Sequence, residues 1–376
     1  MLNIKSLFLL KFYCAPSSDI DILIIDESGS EIISHCIPSY YKVGILKTRG
    51  VIPYVKKISF VWGVVTAMTR YGLSFQALII PVVESISPKL IITFTDNTPL
   101  MGMLNDTFPD IVVISVQNGM RYKKEWKFNY PILFVLGEQD KNYINQLDLQ
   151  VSECYPIGSL RAGIFLDSAY MPISRSSQSI CFVSQYREYM EFSKNVEYNR
   201  FFQTGRAVYA MLVDYCKFNR HALKVSMVCE YEFCNKEIQY FNYPHSSDAI
   251  ELSFNDTKKL SSYETAFSSS IIVGMDSTLL FEMLGLGKKV LFCVQSDVLL
   301  KNMRTDNFYE KMPSELLLEE MDGQALEKKM DALKGMSDKK YALLIKDAQM
   351  HYMNFQSSRP HKLIAEYIDN SLQGRG

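Results

Sequence analysis

The sequence predicts an α/β protein made of two doubly wound, parallel-sheet domains, and three observations predict it. Short continuous apolar runs recur along the chain, as strands buried on both faces require. Most of these runs end in polar residues, where doubly wound sheets keep their sites. At 376 residues the chain is also long enough for two such domains, each burying its own core.

In chain order, Asp21–Asp26 (DILIID) and Tyr41–Leu46 (YKVGIL) read as strands, and Ile58–Tyr71 as an apolar helix. Lys89–Thr95 (KLIITFT) reads as a buried strand followed by Asp96-Asn97-Thr98-Pro99, and Ile111–Val116 (IVVISV) as another followed by Gln117-Asn118-Gly119-Met120-Arg121. Pro131–Leu136 and Cys154–Ile157, the latter leading into Gly158-Ser159-Leu160-Arg161, complete the first sheet. Asp167–Gln178 (DSAYMPISRSSQ) is polar and interrupted by proline, so it reads as a linker. This division predicts domains at 1–166 and 179–355 and a closing helical segment at 356–376.

In the second domain Ile180–Val183 is the first strand, ending in Ser184-Gln185-Tyr186-Arg187-Glu188, and Phe201–Asn219 is a long helix. Leu223–Cys229 and Ile250–Phe254 follow as strands. Leu326–Ala348 reads as helical and amphipathic, and Pro360 opens a last helix to Leu372. No repeat of fixed period is present.

Tyr263–Val294 is the most informative stretch. Two apolar runs, Ile271–Val273 and Val290–Val294, flank a helical pattern over Leu279–Leu286. Gly274 permits a turn after the first run, Asp276, Ser277 and Thr278 are preferred N-cap types, and Gly287 with Lys288 and Lys289 suits a helix end. A helix that starts at the carboxyl end of a parallel strand points free N–H groups and a positive dipole end into the crevice above the sheet. Ser277 and Thr278 add hydroxyl donors there for a nucleotide phosphate. Glu282, one turn on, is placed to meet ribose hydroxyls.

Composition narrows the class. Hydrophobic residues make up 48% and charged residues 22% of the chain, which fits a globular protein and excludes wholesale disorder. A net charge of −1 provides no global field for nucleic acid or an anionic membrane, so an anionic substrate must be held by local groups. The eight cysteines lack zinc-knuckle spacing, which favours a reduced protein. No run approaches the ~18 apolar residues of a membrane span. The expected compartment is the cytoplasm, with at most peripheral contact at the inner face of the membrane.

Asp96, Glu138 and Glu188 follow strand ends and are the candidate general bases or nucleophiles, although an Asp at such a position also caps helices. Arg121, Arg161 and Arg187 each follow a strand end too, where a guanidinium can pair with a phosphate or carboxylate. His245 stands in a loop of the second domain. No Asp-x-Asp suited to a metal–diphosphate site appears at a strand end. The expectation is therefore a metal-independent reaction without a cofactor, in which the helix N-terminus takes the leaving-group charge.

Asp276-Ser277-Thr278, Glu282, Leu284 and Gly287-Lys288-Lys289-Val290 together resemble the donor-binding motif of GT-B glycosyltransferases. The succession ITFTDNTP, VQNGMRY, PIGSLR, FVSQYRE and the DST stretch resembles bacterial surface carbohydrate (capsule and O-antigen) biosynthesis transferases. That resemblance implies a GT-B fold with two Rossmann-like domains facing a cleft, and a C-terminal helix crossing back to the first domain. It implies that Ser184, Gln185, Arg187, His245, Asp276, Ser277, Thr278 and Glu282 hold a nucleotide-sugar donor. Asn97, Gln117, Asn118, Arg121 and Arg161 would then face a glycan or lipid-linked acceptor. Some members of the wider group use CMP-activated acidic sugars such as Kdo. Related Kdo transferases carry an acid before the glycine of the VQNGMRY segment, whereas this chain has Asn118, so either the acid comes from elsewhere or the donor differs. Two other classes remain open: a nucleotide-sugar epimerase or hydrolase of the same architecture, and a non-catalytic nucleotide- or glycan-binding protein.

Overall fold

A computed structural model describes residues 11–16, 19–49, 51–55, 58–72, 75–96, 98–121, 128–147, 149–168, 179–187, 196–241, 250–256, 260–294, 308–355 and 359–374. The strands are β1 (Lys11–Cys14), β2 (Ile22–Ile25), β3 (Val43–Leu46), β4 (Val51–Tyr54), β5 (Leu90–Thr93), β6 (Val112–Val116), β7 (Tyr130–Val135) and β8 (Val151–Pro156), then β9 (Ser179–Val183), β10 (Ala222–Ser226), β11 (Ile250–Ser253), β12 (Ile271–Gly274), β13 (Lys289–Cys293) and β14 (Leu317–Leu318). The helices are α1 (Ser30–Ser34), α2 (Ile58–Tyr71), α3 (Phe75–Ile86), α4 (Leu100–Thr107), α5 (Glu138–Gln146) and α6 (Leu160–Asp167), then α7 (Val196–Asn219), α8 (Asn235–Phe241), α9 (Ser261–Ser268), α10 (Thr278–Gly285), α11 (Gly323–Gly335), α12 (Asp338–Tyr352) and α13 (Pro360–Gln373).

Two six-stranded parallel sheets carry the fold. The first has the order β3-β2-β5-β6-β7-β8 and the second β11-β10-β9-β12-β13-β14. Strand periodicity sends alternate residues to opposite faces. Ile22 and Ile24 of β2 accordingly pack with Ile33 of α1, Leu160 and Ile164 of α6, and Ile364 and Ile368 of α13. Leu23 and Ile25 pack on the other face with residues of α2, α3 and α4. The largest core cluster is built on the second sheet and takes in Met120, Leu136, Ala162 and Phe165 from the first half, so apolar packing is continuous across the two halves.

In both sheets the strand order reverses once, between β2 and β5 in the first and between β9 and β12 in the second. A reversal leaves a crevice above the carboxyl ends of the two strands, because their following segments depart to opposite sides. These two crevices position the candidate residues.

The structure differs from the sequence reading in several places. The helical stretch over Leu326–Ala348 is two helices, broken at Met336 because Ser337 adopts an extended conformation and accepts from Lys340 N–H at 3.3 Å as a new N-cap. β8 begins at Val151; it is an edge strand with Ser152 and Glu153 exposed, so half of it lacks an apolar pattern. β1 and β4 form a separate two-stranded parallel sheet.

After α12 the chain returns to the first sheet. Asn354 N–H donates to Leu136 O at 2.8 Å, and the Phe355 ring lies against Gly158, whose φ of +84° and close ring contact both favour glycine. Asp167 then takes Arg359 Nε at 2.5 Å and His361 Nε2 at 2.9 Å, holding α13 against the first sheet. All eight cysteines are free thiols. Among the described residues no helix is long and apolar enough to cross a membrane.

Candidate functional site

The crevice between β9 and β12 opens into a cavity of about 390 Å³, within the range of small-ligand sites. The second half lines it with Ser184, Gln185 and Arg187 after β9, Ser226 and Met227 at the end of β10, Asn255, Ser262 and Tyr263, and the run Asp276 to Leu279 with Glu282. The first half contributes Met120 and Arg161. The cavity therefore lies between the two halves.

Its floor follows from local sequence chemistry. β12 ends at Gly274, and Ser277, in an extended conformation at φ −83°, caps α10 by accepting from Leu279 N–H at 3.3 Å. Asp276 is 4% exposed; its N–H donates to Gln185 Oε1 at 2.8 Å and its carboxylate accepts from the Tyr309 hydroxyl at 3.0 Å. Gln185 thus ties the two strands of the crevice together. Thr278 faces the first half, where its Oγ1 accepts from Met120 N–H at 3.1 Å. The Gln117–Arg121 turn consequently docks on the N-terminus of α10.

Glu282 points from α10 into the back of the cavity and is 3% exposed. Its carboxylate accepts from the Tyr263 hydroxyl at 2.8 Å and from the Ser159 hydroxyl of the first half. Burial pushes its carboxyl up from the ordinary 4.5 to about 7, against the opposing pull of those two hydroxyls and of the Arg161 charge. Arg161 lies with its guanidinium 5.2 Å from the centre of the Phe94 ring, a cation–π contact that fixes its direction. Arg187 donates to Tyr186 O at 3.0 Å through one nitrogen. Among the described residues, two guanidinium groups, a capped helix N-terminus and several hydroxyls therefore surround the cavity, together with the carboxyl groups of Asp276 and Glu282. That balance suits an anionic ligand with hydroxyl groups.

The other candidates are placed elsewhere. Asp96 is 1% exposed and forms a bidentate ion pair with Arg121, whose Nε donates at 3.0 Å; Arg121 also donates to Asn118 Oδ1 at 2.6 Å. In the structure the carboxylate of Asp96 is paired with Arg121, and neither residue is among those lining the cavity. Gln117 follows β6, where its amide donates to Gly119 O at 3.0 Å and accepts from Leu136 N–H at 2.9 Å, joining the ends of β6 and β7. Glu138 lies in the first turn of α5 and is not among the lining residues. Asn97, Glu188 and His245 lie outside the described residues. Among the described residues, no group of three or more His, Cys, Asp or Glu side chains could hold a metal ion.

Several residues of the site were missed from sequence. Ser159 had a local signal, since it follows Gly158 and caps α6 by accepting from Ala162 N–H at 3.3 Å. Tyr263 and Asn255 had none, because only the fold brings them to α10. The crevice of the first sheet holds a further unanticipated cluster. Asp26, at the end of β2 with φ 77°, accepts from Arg49 Nε at 2.9 Å and from Thr95 Oγ1 at 2.7 Å. A non-glycine residue in the left-handed region is strained, and such strain collects at functional sites.

Solved structures with this fold cover nearly the whole chain. A Staphylococcus aureus MnaA–UDP co-structure matches with a TM-score of 0.55 at 12% identity over 97% of both chains. UDP-GlcNAc 2-epimerase from Neisseria meningitidis bound to UDP-GlcNAc matches at 0.53 and 11%, covering 94% of this chain and 99% of that one. The wall teichoic acid polymerase TagF, as its H548A variant, matches at 0.53 and 12%, covering 96% and 90%. At such identities the likeness establishes the GT-B fold. A search of curated proteins by sequence returns no match. A family model described as "putative O-antigen biosynthesis protein" matches residues 114–368, from β6 through the cavity-lining segments to α13, and the chain belongs to that O-antigen biosynthesis family.

Proposed function

We propose that the chain is a metal-independent glycosyltransferase of surface-glycan assembly, which moves a sugar from a nucleotide-activated donor to a growing polysaccharide. The observation that carries this reading is the cavity between the two halves, where the Ser277-capped N-terminus of α10 converges with Arg161 and Arg187. In the reaction the bond from the anomeric carbon to the donor phosphate breaks and its electron pair goes to the phosphate. Fixed N–H dipoles and guanidinium charges at that position stabilise the leaving group without reorganising. Thr278 keeps its hydroxyl proton for the phosphate, since its oxygen accepts from Met120. Glu282, already bound by two hydroxyls, is the group assigned to the ribose.

An acidic CMP-sugar of the Kdo class fits the two arginines, one for the phosphate and one for the sugar carboxylate. The acceptor hydroxyl needs a base. Of the three candidate acids, Glu188 retains that assignment, because it directly follows Arg187 in the chain while Asp96 is ion-paired and Glu138 is off the cavity.

Calorimetry with CMP, UDP and CDP, followed by mass spectrometry of CMP-Kdo and UDP-GlcNAc incubated with and without an O-antigen acceptor, tests the reading. A sugar added to acceptor supports it. An epimer or free sugar released at the same rate without acceptor would make the protein an epimerase or hydrolase, and nucleotide binding without turnover would make it a binding protein.

A further inference from the structure

The free edge of the first sheet carries a second concavity of about 270 Å³, set between β7, β8 and one stripe of α13. Phe134, Tyr155 and Tyr367 form an aromatic wall. Tyr155 stacks on Phe134 at 5.4 Å between ring centres, and Tyr367 meets the two rings edge-on at 5.5 and 5.6 Å. Glu153 fixes the phenols by accepting from both hydroxyls, from Tyr367 at 3.0 Å. Glu366 and Asn370 are four residues apart, hence on one face of α13, and both are exposed at the rim.

Ligand classes can be separated by this chemistry. Anions are disfavoured by Glu153 and Glu366, and an apolar peptide would make no use of the carboxylate and amide at the rim. A sugar ring suits both parts: its C–H face packs on an aromatic ring, and its hydroxyls donate to Glu366 and exchange hydrogen bonds with Asn370. Position adds a second argument. Ile157 lines this concavity and Arg161 lines the donor cavity, and four residues of chain span at most about 14 Å. The two concavities are therefore lined by residues of one short segment.

We propose that this concavity is a saccharide subsite, which holds an inner part of the acceptor glycan while the growing end lies at the donor cavity. The word acceptor rests on the glycosyltransferase reading; saccharide binding does not. The test places the intact chain on a printed array of bacterial O-antigen and capsular oligosaccharides, then titrates the tightest glycan, with CMP and UDP titrated in parallel. Tyr155→Ala, Glu366→Gln and Asn370→Ala are each expected to weaken the glycan by about tenfold, with Tyr155→Phe close to the parent and nucleotide affinity unchanged in all four. The last two of the first three alter exposed side chains, so they read the site even if Tyr155→Ala fails to fold. An empty array, or a glycan bound equally by parent, Glu366→Gln and Asn370→Ala, overturns the subsite. Glycan binding that these variants weaken, in a protein that binds no nucleotide, keeps the subsite and removes the transferase reading.

Discussion

Replacing Glu282 with glutamine should make the protein more stable at alkaline pH and remove part of its pH dependence. The carboxyl of Glu282 is pushed up from 4.5 to about 7 by burial, so between these values the folded state holds a proton that the unfolded state has released. Stability therefore falls as pH rises through this window, since it falls wherever the folded state binds more protons. At about 1.4 kcal/mol for each unit of pKa, the folded protein is roughly 3 kcal/mol less stable above the window than below it on account of this one group. Glutamine preserves an oxygen that accepts from Ser159 and Tyr263 but carries no charge to bury. Urea denaturation of parent and Glu282→Gln should give similar stabilities near pH 4.5 and a gap in favour of the variant that grows to about 3 kcal/mol near pH 8. A difference curve that is flat across the window would refute the reasoning, because Glu282 would then titrate alike in both states.

Ser277→Ala removes the cap of α10 and a donor at the phosphate position, so nucleotide affinity measured by calorimetry should fall by roughly 1–2 kcal/mol; unchanged affinity in a folded variant would move the phosphate elsewhere. Asp96→Asn removes the carboxylate paired with Arg121, which is 12% exposed, and should cost roughly 3 kcal/mol in chemical denaturation. A variant as stable as the parent but without turnover would return Asp96 to the chemistry. Gly137→Ala places a Cβ 2.2 Å from His351 O and 2.6 Å from the Tyr352 carbonyl carbon, backbone atoms that cannot rotate away. Overpacking of about 1–3 kcal/mol should appear as a lower melting temperature, whereas an unchanged melting curve would mean that the return of the chain over β7 is loose.

The parallel strands were legible because a strand buried on both faces writes itself as a continuous apolar run, as in IVVISV and KLIITFT. Ser277 was legible for a similarly local reason, since cap and helix are neighbours in the chain. α3 was not: FQALIIPVVESI is apolar nearly all round and contains Pro81, so it has neither a helical stripe nor an uninterrupted interior. The side-chain pairings around the site are not legible where the partners are remote. Asp96 and Arg121 both follow strand ends, and only the adjacency of β5 and β6 brings the two side chains together. The bonds from Ser159 and Tyr263 to Glu282 span 123 and 19 residues, and no spacing rule links them. Ser337 is the exception, since Ser-Asp-Lys-Lys inside an amphipathic pattern was a readable new helix start.

The return of α13 to the first sheet also constrains how the protein is made. One face of that sheet is closed by Ile364 and Ile368, contributed more than two hundred residues after β7 leaves the ribosome. Domains commonly fold in the order of their synthesis. Here the first half can pair its strands and lay α1 and α6 on that face early, but the part covered by Ile364 and Ile368 stays open until α13 has been made. Until then that part of the sheet is exposed apolar surface, the kind of surface through which incompletely folded chains associate.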